Sequence, residues 1–351
     1  FLMLFLLFGV CVEAASVFTS TVAHINSGNF GWVAREPNFR DLETVKAMCG
    51  SWGTPKSAPP PDPDLDALPA SQLPDGFDSR TTWPDCTVIG HVRDQSVCGA
   101  CWAFAATEAT ESSLCVATGQ NVMLSTEDVA GCCSGGACEF SDGCNGGHSS
   151  AALRWVAGFG GVGNGIVTGG DYPLDPEGIN GGCQPYSLAP CSINNDTAHY
   201  KRCVKPPTPS QITCKKECTN SNYTIPFSKD GHGGVNGGVV QSLAYRDDNN
   251  THMMTAIMTS GPIVASFTVY ADFPTYSSGV YRHVTGEALG GHAILIVGWG
   301  IEKDTPYWLV KNSWNDEWGI DGFFKILRGS NEAGIEMGDV ASIAFKKTLT
   351  F

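Results

Sequence analysis

The sequence predicts an α+β fold of two lobes, the first helical and the second stranded, with a cleft between them. Three observations predict it. Apolar residues recur at helical spacing in the first half of the chain, at 102–116, after Ser125 and around 150–157. From residue 263 the period changes, and Ile263–Tyr270, Ala293–Val297, Tyr307–Lys311 and Phe323–Leu327 read as strands bounded by Gly or Pro. Fifteen cysteines, 42 glycines and 20 prolines describe a loop-rich chain held by disulfides. Helices followed by strands pack as separate layers, and the seam between them is the natural place for a ligand.

The 351 residues suffice to bury a large core. Acidic residues outnumber basic ones 35 to 21, a net charge of −14. That argues against nucleic acid and anionic membrane as partners, since either requires a basic face. The cysteines point to an oxidising secretory compartment. Three Asn-x-Thr sequons, at Asn195, Asn222 and Asn249, agree with it. Long internal repeats are absent, which excludes a solenoid.

Taken in order, residues 1–10 (FLMLFLLFGV) form a short apolar run followed by small residues at Ala14, Ala15 and Ser16. This is the core and cleavage region of a signal peptide, expected over 1–15 with its true start missing; a buried N-terminal helix is the alternative. Residues 16–72 are expected to be a propeptide. Within it Phe39–Gly50 reads as a short amphipathic helix ended by Gly50, and Pro59, Pro60, Pro61 and Pro63 stiffen an acidic linker open to proteolysis. The remaining domain, 73–351, starts near Leu73. A helix follows at 102–116, and Ser125-Thr126-Glu127-Asp128 is a capping box for a helix that reaches Cys132-Cys133. A tight loop runs from Cys138 to Cys144, a third helix covers about 150–157, and 158–250 is irregular. One more helix, around Met253–Thr259, precedes the strands.

The chemistry centres on Gln95-Ser96-Val97-Cys98-Gly99-Ala100-Cys101-Trp102. A cysteine at the mouth of a helix meets unpaired N–H groups and the positive end of the dipole, which favour the nucleophilic thiolate. Gln95 offers an amide donor to the oxyanion formed by attack at Cys101. A thiolate nucleophile needs an imidazole partner. Of eight histidines, His292 stands between Gly290-Gly291 and the run Ala293–Val297, rigidly held at the mouth of a strand; His283, in a loop, is its rival. Asn312, in Lys311-Asn312-Ser313-Trp314, would fix the imidazole tautomer, and Trp314 would shield that bond from water.

The run CGACW at 98–102 and the ordered set Gln95, Cys101, His292 and Asn312 resemble the papain family, and its cathepsin B branch in particular, over roughly residues 39–344. The resemblance implies the two-lobed papain-like fold with a β-barrel-like second lobe. It implies a cysteine endopeptidase made as a zymogen, sent to a lysosome-like compartment or outside the cell, and acting as a monomer on proteins and peptides. Its own propeptide, with the lone Cys49, would be its inhibitor, and no cofactor or metal would be needed. The four catalytic positions carry over unchanged. Gly146-Gly147 resembles the strip that docks extended peptides, with Ala293 and Trp314 also facing substrate. The implied disulfides are Cys86–Cys115, Cys98–Cys144, Cys132–Cys214, Cys133–Cys138, Cys183–Cys218 and Cys191–Cys203. Thirteen cysteines then remain in 73–351, an odd number that leaves Cys101 free.

Two departures stand out. The Cys191–Cys203 segment matches the occluding loop, which in this family confers removal of C-terminal dipeptides. The loop's paired histidines are here replaced by Ile193 and Asn194, with His199 further along, so that activity is left open. In Gly334-Ile335-Glu336-Met337-Gly338, Gly338 stands where the family places an acid on the floor of its main specificity pocket, which shifts the expected preference from basic to apolar residues. Three other readings compete. Cys98 and Cys101 have redox C-x-x-C spacing, and Cys132, Cys133, Cys138 and Cys144 are a zinc-ligand set without paired C-x-x-C spacing. The third is a non-catalytic, glycosylated binding protein on a protease scaffold. Neither H-E-x-x-H nor G-x-S-x-G occurs.

Overall fold

The computed structural model describes residues 18–39, 41–56, 67–159, 165–173, 181–190, 212–233, 239–243 and 250–345. The expected leader, the proline-rich linker, the Cys191–Cys203 loop with Ile193, Asn194 and His199, and the sequons at Asn195 and Asn249 lie outside the described residues.

The N-terminal segment contributes α1 (Thr19–Ser27), β1 (Trp32–Ala34) and α2 (Leu42–Met48). Asp41 caps α2, its carboxylate accepting from the Thr44 N–H at 2.8 Å. The helix stops at Met48 rather than at Gly50, because Cys49 turns the chain extended (φ −84°, ψ 96°). Gly50 serves a different need, close approach: a Cβ there would lie 1.7 Å from the Gly99 carbonyl oxygen.

After β2 (Phe77–Asp78) and α3 (Ser79–Thr82), the first lobe is built on α4 (Cys101–Thr118), buried over its first fifteen residues. Gly119 ends it in the left-handed conformation, its N–H returning to Cys115 O at 2.8 Å. Against it pack α5 (Thr126–Cys132) and α6 (Ser149–Arg154). The capping box of α5 is half formed. The Ser125 hydroxyl accepts from the Asp128 N–H at 2.9 Å, but the Asp128 carboxylate turns away to accept the Val167 N–H, because Ser125 N–H is already donated to Val167 O. Short strands β3 (Gly165–Ile166) and β4 (His232–Gly233) pair with one another. Five disulfides join Cys86–Cys115, Cys98–Cys144, Cys132–Cys214, Cys133–Cys138 and Cys183–Cys218.

The second lobe follows β5 (Val239–Ser242) and α7 (Thr251–Ser260) with β6 (Ile263–Tyr270), β7 (Tyr276–Tyr281), β8 (Ala288–Glu302), β9 (Thr305–Lys311), β10 (Phe323–Leu327) and β11 (Ala341–Ala344). The sheet order is β1-β7-β10-β9-β8-β6-β11-β5, with β2 added alongside β8. All pairs are antiparallel except β7–β10. Among the described residues the sheet is an open path with β1 and β5 at its edges, not a closed barrel. Each lobe has its own core. One gathers around Trp102, Phe104 and Leu153, the other around Phe267, Phe273, Trp308 and Phe324. The N-terminal segment belongs to the second core through Ile25, Trp32, Val45 and Met48.

Candidate active site

Cys101 opens α4 and His292 lies on β8, so the two groups come from different lobes. β8 is fifteen residues long, three times the expected run, since pairing with β6 extends it back through the glycines. His292 is therefore inside a strand rather than at its mouth, opposite Phe267. Its neighbour places the Ala293 N–H 3.4 Å from Cys101 Sγ, which seats β8 against the sulfur.

His292 is fully buried, and its Nε2 lies 2.8 Å from Asn312 Oδ1. Because that oxygen can only accept, Nε2 donates, and Nδ1 is the basic nitrogen of the neutral ring. Nδ1 is buried with no hydrogen-bond partner among the described residues. Trp314, 1% exposed, covers the pair with its ring centroid 4.8 Å from the imidazole. The rival His283 is elsewhere, stacked on Tyr270 at 3.7 Å and 3.2 Å from the Asp272 carboxylate.

Gln95 is fully buried, and its side-chain amide is held at both ends. Oε1 accepts from the Ser313 hydroxyl at 2.6 Å, while Nε2 donates to Cys98 O at 2.7 Å and to Met48 O at 2.8 Å. A backbone carbonyl of the N-terminal segment thus takes the donor that would face an oxyanion. Two residues on, Gly50 N–H points at Cys101 Sγ at 3.3 Å. The chain then lies between two glycine walls. Gly147 N–H donates to Gly50 O, Trp52 N–H donates to Gly147 O, and Ser51 N–H donates to Gly291 O. The Ser51–Gly147 bridge is parallel. Side chains on these walls would collide with the bound segment: a Cβ on Gly291 would sit 2.3 Å from Ser51 O, and one on Gly290 2.7 Å from Cys49 Cβ. At the far end the Thr54 hydroxyl donates to Gly338 O at 2.8 Å.

Filling the cleft changes the electrostatics. Burial pushes the Cys101 thiol up to about 11, outweighing the N–H groups of Ala293, Gly50 and Trp102 that favour thiolate. Burial also drives His292 down to about 4, opposed by Asn312. In this closed form the neutral thiol and neutral imidazole are favoured, the reverse of what the helix terminus alone suggests.

Several contributors had no role assigned to them from sequence. Ser313 orients Gln95. Gly290 and Gly291 form the second wall. His148, next to Gly147, has Nδ1 2.6 Å from Gly53 O and its ring against Trp52. Gly338 is closed to any side chain on the present backbone, since a Cβ would meet Ser266 O at 2.3 Å. Asn222 is exposed. The zinc alternative fails, because Cys132, Cys133, Cys138 and Cys144 belong to three separate disulfides. The redox alternative fails because Cys98 is bonded to Cys144. Among the described residues Cys49 and Cys101 are the free cysteines, and no cluster of His, Cys, Asp or Glu has an arrangement suited to a metal ion. Nor is any described helix long and apolar enough to cross a membrane.

The profile of the papain family cysteine protease matches residues 73–343. The chain belongs to the papain family of cysteine proteases. Within that family its relatives are cathepsin B-like. It is 44% identical to cathepsin B-like cysteine proteinase 5 of Caenorhabditis elegans, over 92% of this chain and 89% of the relative. It is 40% identical to proteinase 4 of the same organism, over 91% and 90%. Among solved structures, procathepsin B S9 from Trypanosoma congolense superposes with a TM-score of 0.70 at 29% identity, covering 95% of this chain and all of that one. A procathepsin L2 from the midgut of Tenebrio molitor larvae gives 0.61 at 27% identity, over 93% and 89%. Both are proforms, in keeping with a papain-family protease whose cleft is filled by its own N-terminal segment.

Proposed function

We propose that this chain is the zymogen of a cysteine endopeptidase in which Cys101 is the nucleophile, His292 the acid and base, Asn312 the residue that orients it, and Gln95 the oxyanion donor. The observation that carries this reading is the seat of residues 48–50. The Met48 carbonyl occupies the Gln95 amide while the Gly50 N–H is directed at Cys101 Sγ. With the Gln95 amide and the approach to the sulfur both taken by this segment, a substrate carbonyl cannot enter, so the segment blocks the site.

In the open enzyme a substrate carbonyl replaces Met48 O. The Cys101 thiolate adds to its carbon, and the negative oxygen is held by Gln95 Nε2–H and the Cys101 N–H. His292 gives its proton to the leaving amine, then takes one from the water that hydrolyses the thioester, with Asn312 holding the ring throughout. Residues 16–72 are the propeptide in this reading, and 73–351 the mature enzyme of a secretory compartment, lysosome-like or extracellular. Gly338 favours apolar residues over basic ones. Endopeptidase cleavage needs nothing beyond the described cleft, and dipeptide removal depends on the 191–203 loop.

The experiment is mass spectrometry of one peptide, with a free or an amidated C-terminus, digested by processed wild type and by Cys101→Ala. Internal cuts in both peptide forms by wild type alone are expected. Stepwise dipeptide loss confined to the free acid would instead assign an exopeptidase, and cleavage by Cys101→Ala would overturn the mechanism.

A further inference from the structure

Lys311 immediately precedes Asn312, yet its ammonium is fully withdrawn from water. Nζ lies 3.0 Å from Glu108 Oε2 and donates to Val88 O at 3.1 Å and His91 O at 3.0 Å, so its three N–H groups are all used. Glu108 is on α4, seven residues from Cys101, two helical turns down the same helix face. The pair therefore crosses the seam, from the last residue of β9 to the helix that carries the sulfur.

A second strut lies beside it. Arg93 Nη2 meets Glu111 Oε2 of α4 at 2.6 Å, with both side chains 1% exposed. The Arg93 carbonyl accepts the Asn315 N–H at 3.1 Å, three residues beyond Asn312. Asn312 is thus flanked on both sides by contacts that end on α4. Stability is a weak reason for such a pair, since burying two charges costs several kcal/mol each and apolar residues of the same shape often replace them without loss. What a directional contact adds is one fixed geometry.

We propose that the buried Lys311–Glu108 ion pair is a positioning device: it fixes the Asn312 end of β9 to the Cys101 helix, and so sets His292 against Cys101 across the two lobes. This rests on the catalytic roles given above. Without the pair the β9 end drifts, Asn312 no longer accepts squarely from His292 Nε2–H, and the imidazolium loses its stabilising partner. Displacements near 1 Å at a reacting pair cost on the order of 10²-fold in rate.

The test compares processed wild type with Lys311→Met and with the double variant Lys311→Met/Glu108→Met, all made as the full chain. The double variant leaves neither charge buried alone, so it decides the matter even where the single variant fails to fold. Both variants are expected to lose about 30-fold in kcat with KM within about twofold. The basic limb of kcat/KM against pH should move to lower pH, because losing the Asn312 acceptor lowers the His292 pKa. A double variant with wild-type kcat and an unmoved basic limb overturns the proposal, as does a raised KM at unchanged kcat. An inactive wild type would overturn the reading of the site itself, a separate result.

Discussion

The two lobes are held together by different means. All five disulfides of the described residues fall between Cys86 and Cys218, and the sequence contains no cysteine after Cys218. The second lobe relies on long paired strands and an aromatic cluster in which Phe273 touches Phe267, Tyr281, Trp314, Trp318 and Phe324. The difference follows from sequence. Residues 119–233 are rich in Gly and Asn, and those of them that are described form short elements with few ladder hydrogen bonds and are cross-linked instead. Residues 263–327 supply apolar runs that pair and stack unaided. Each half of the proposed site takes its rigidity from its own side: Cys101 beside a disulfide at Cys98, His292 within β8 and Asn312 just past the end of the neighbouring β9.

The largest expected effect breaks the chemistry without touching either scaffold. His292→Ala in the processed enzyme should lower kcat/KM by about 10⁴-fold with the melting temperature nearly unchanged, checked by steady-state kinetics and calorimetry. Next comes the aromatic scaffold. Phe273→Ala should destabilise the protein by about 4 kcal/mol, because a fully buried ring leaves a cavity with no cross-link nearby to limit unfolding. The stapled side should respond somewhat less. Replacing both Cys98 and Cys144 by Ser should cost about 3 kcal/mol in denaturant titration and lower kcat more than Phe273→Ala does, since it frees the loop between Gln95 and Cys101 from the Gly146-Gly147 strip. The smallest effect concerns Gly338. Peptides with an apolar residue two positions before the cut should exceed their arginine counterparts by about tenfold in kcat/KM.

Much of this was legible in the sequence. Ile263–Tyr270 and Phe323–Leu327 form strands with the expected bounds, because alternating or continuous apolar runs between turn residues have few other solutions. The positions Gln95, Cys101, His292 and Asn312 come together as their order suggests. Other features had no local signature. β1, β2 and β11 are too short to carry a period, and exist because a neighbouring edge pairs with them. The reach of β8 through Gly290-Gly291 is a tertiary effect that overrides low strand propensity. Met48 contributes a backbone carbonyl, which no side-chain pattern announces. The thiol expected to ionise at a helix mouth is un-ionised here, because desolvation under residues 48–52 outweighs the dipole.

That last point makes closure pH-dependent. His292 has a folded pKa of about 4 in the closed form against 6.5 for the free group. A base with a depressed pKa binds fewer protons closed than open, so its contribution to closure is complete above about pH 6.5 and is lost as pH falls toward 4. Release of the N-terminal segment, followed by cleavage of a reporter peptide, should accelerate over that window.

The central claim is that the N-terminal segment blocks catalysis by occupying the Gln95 amide and facing Cys101 with an N–H. The direct measurement is the alkylation rate of Cys101 by iodoacetamide at pH 7, read by peptide mapping so that Cys49 is counted separately. It is made on the full chain and again after the segment is removed. A rise of about 100-fold or more on removal is the result the account predicts, since the sulfur passes from a thiol near 11 to a pair free to ionise. Equal rates before and after would contradict it.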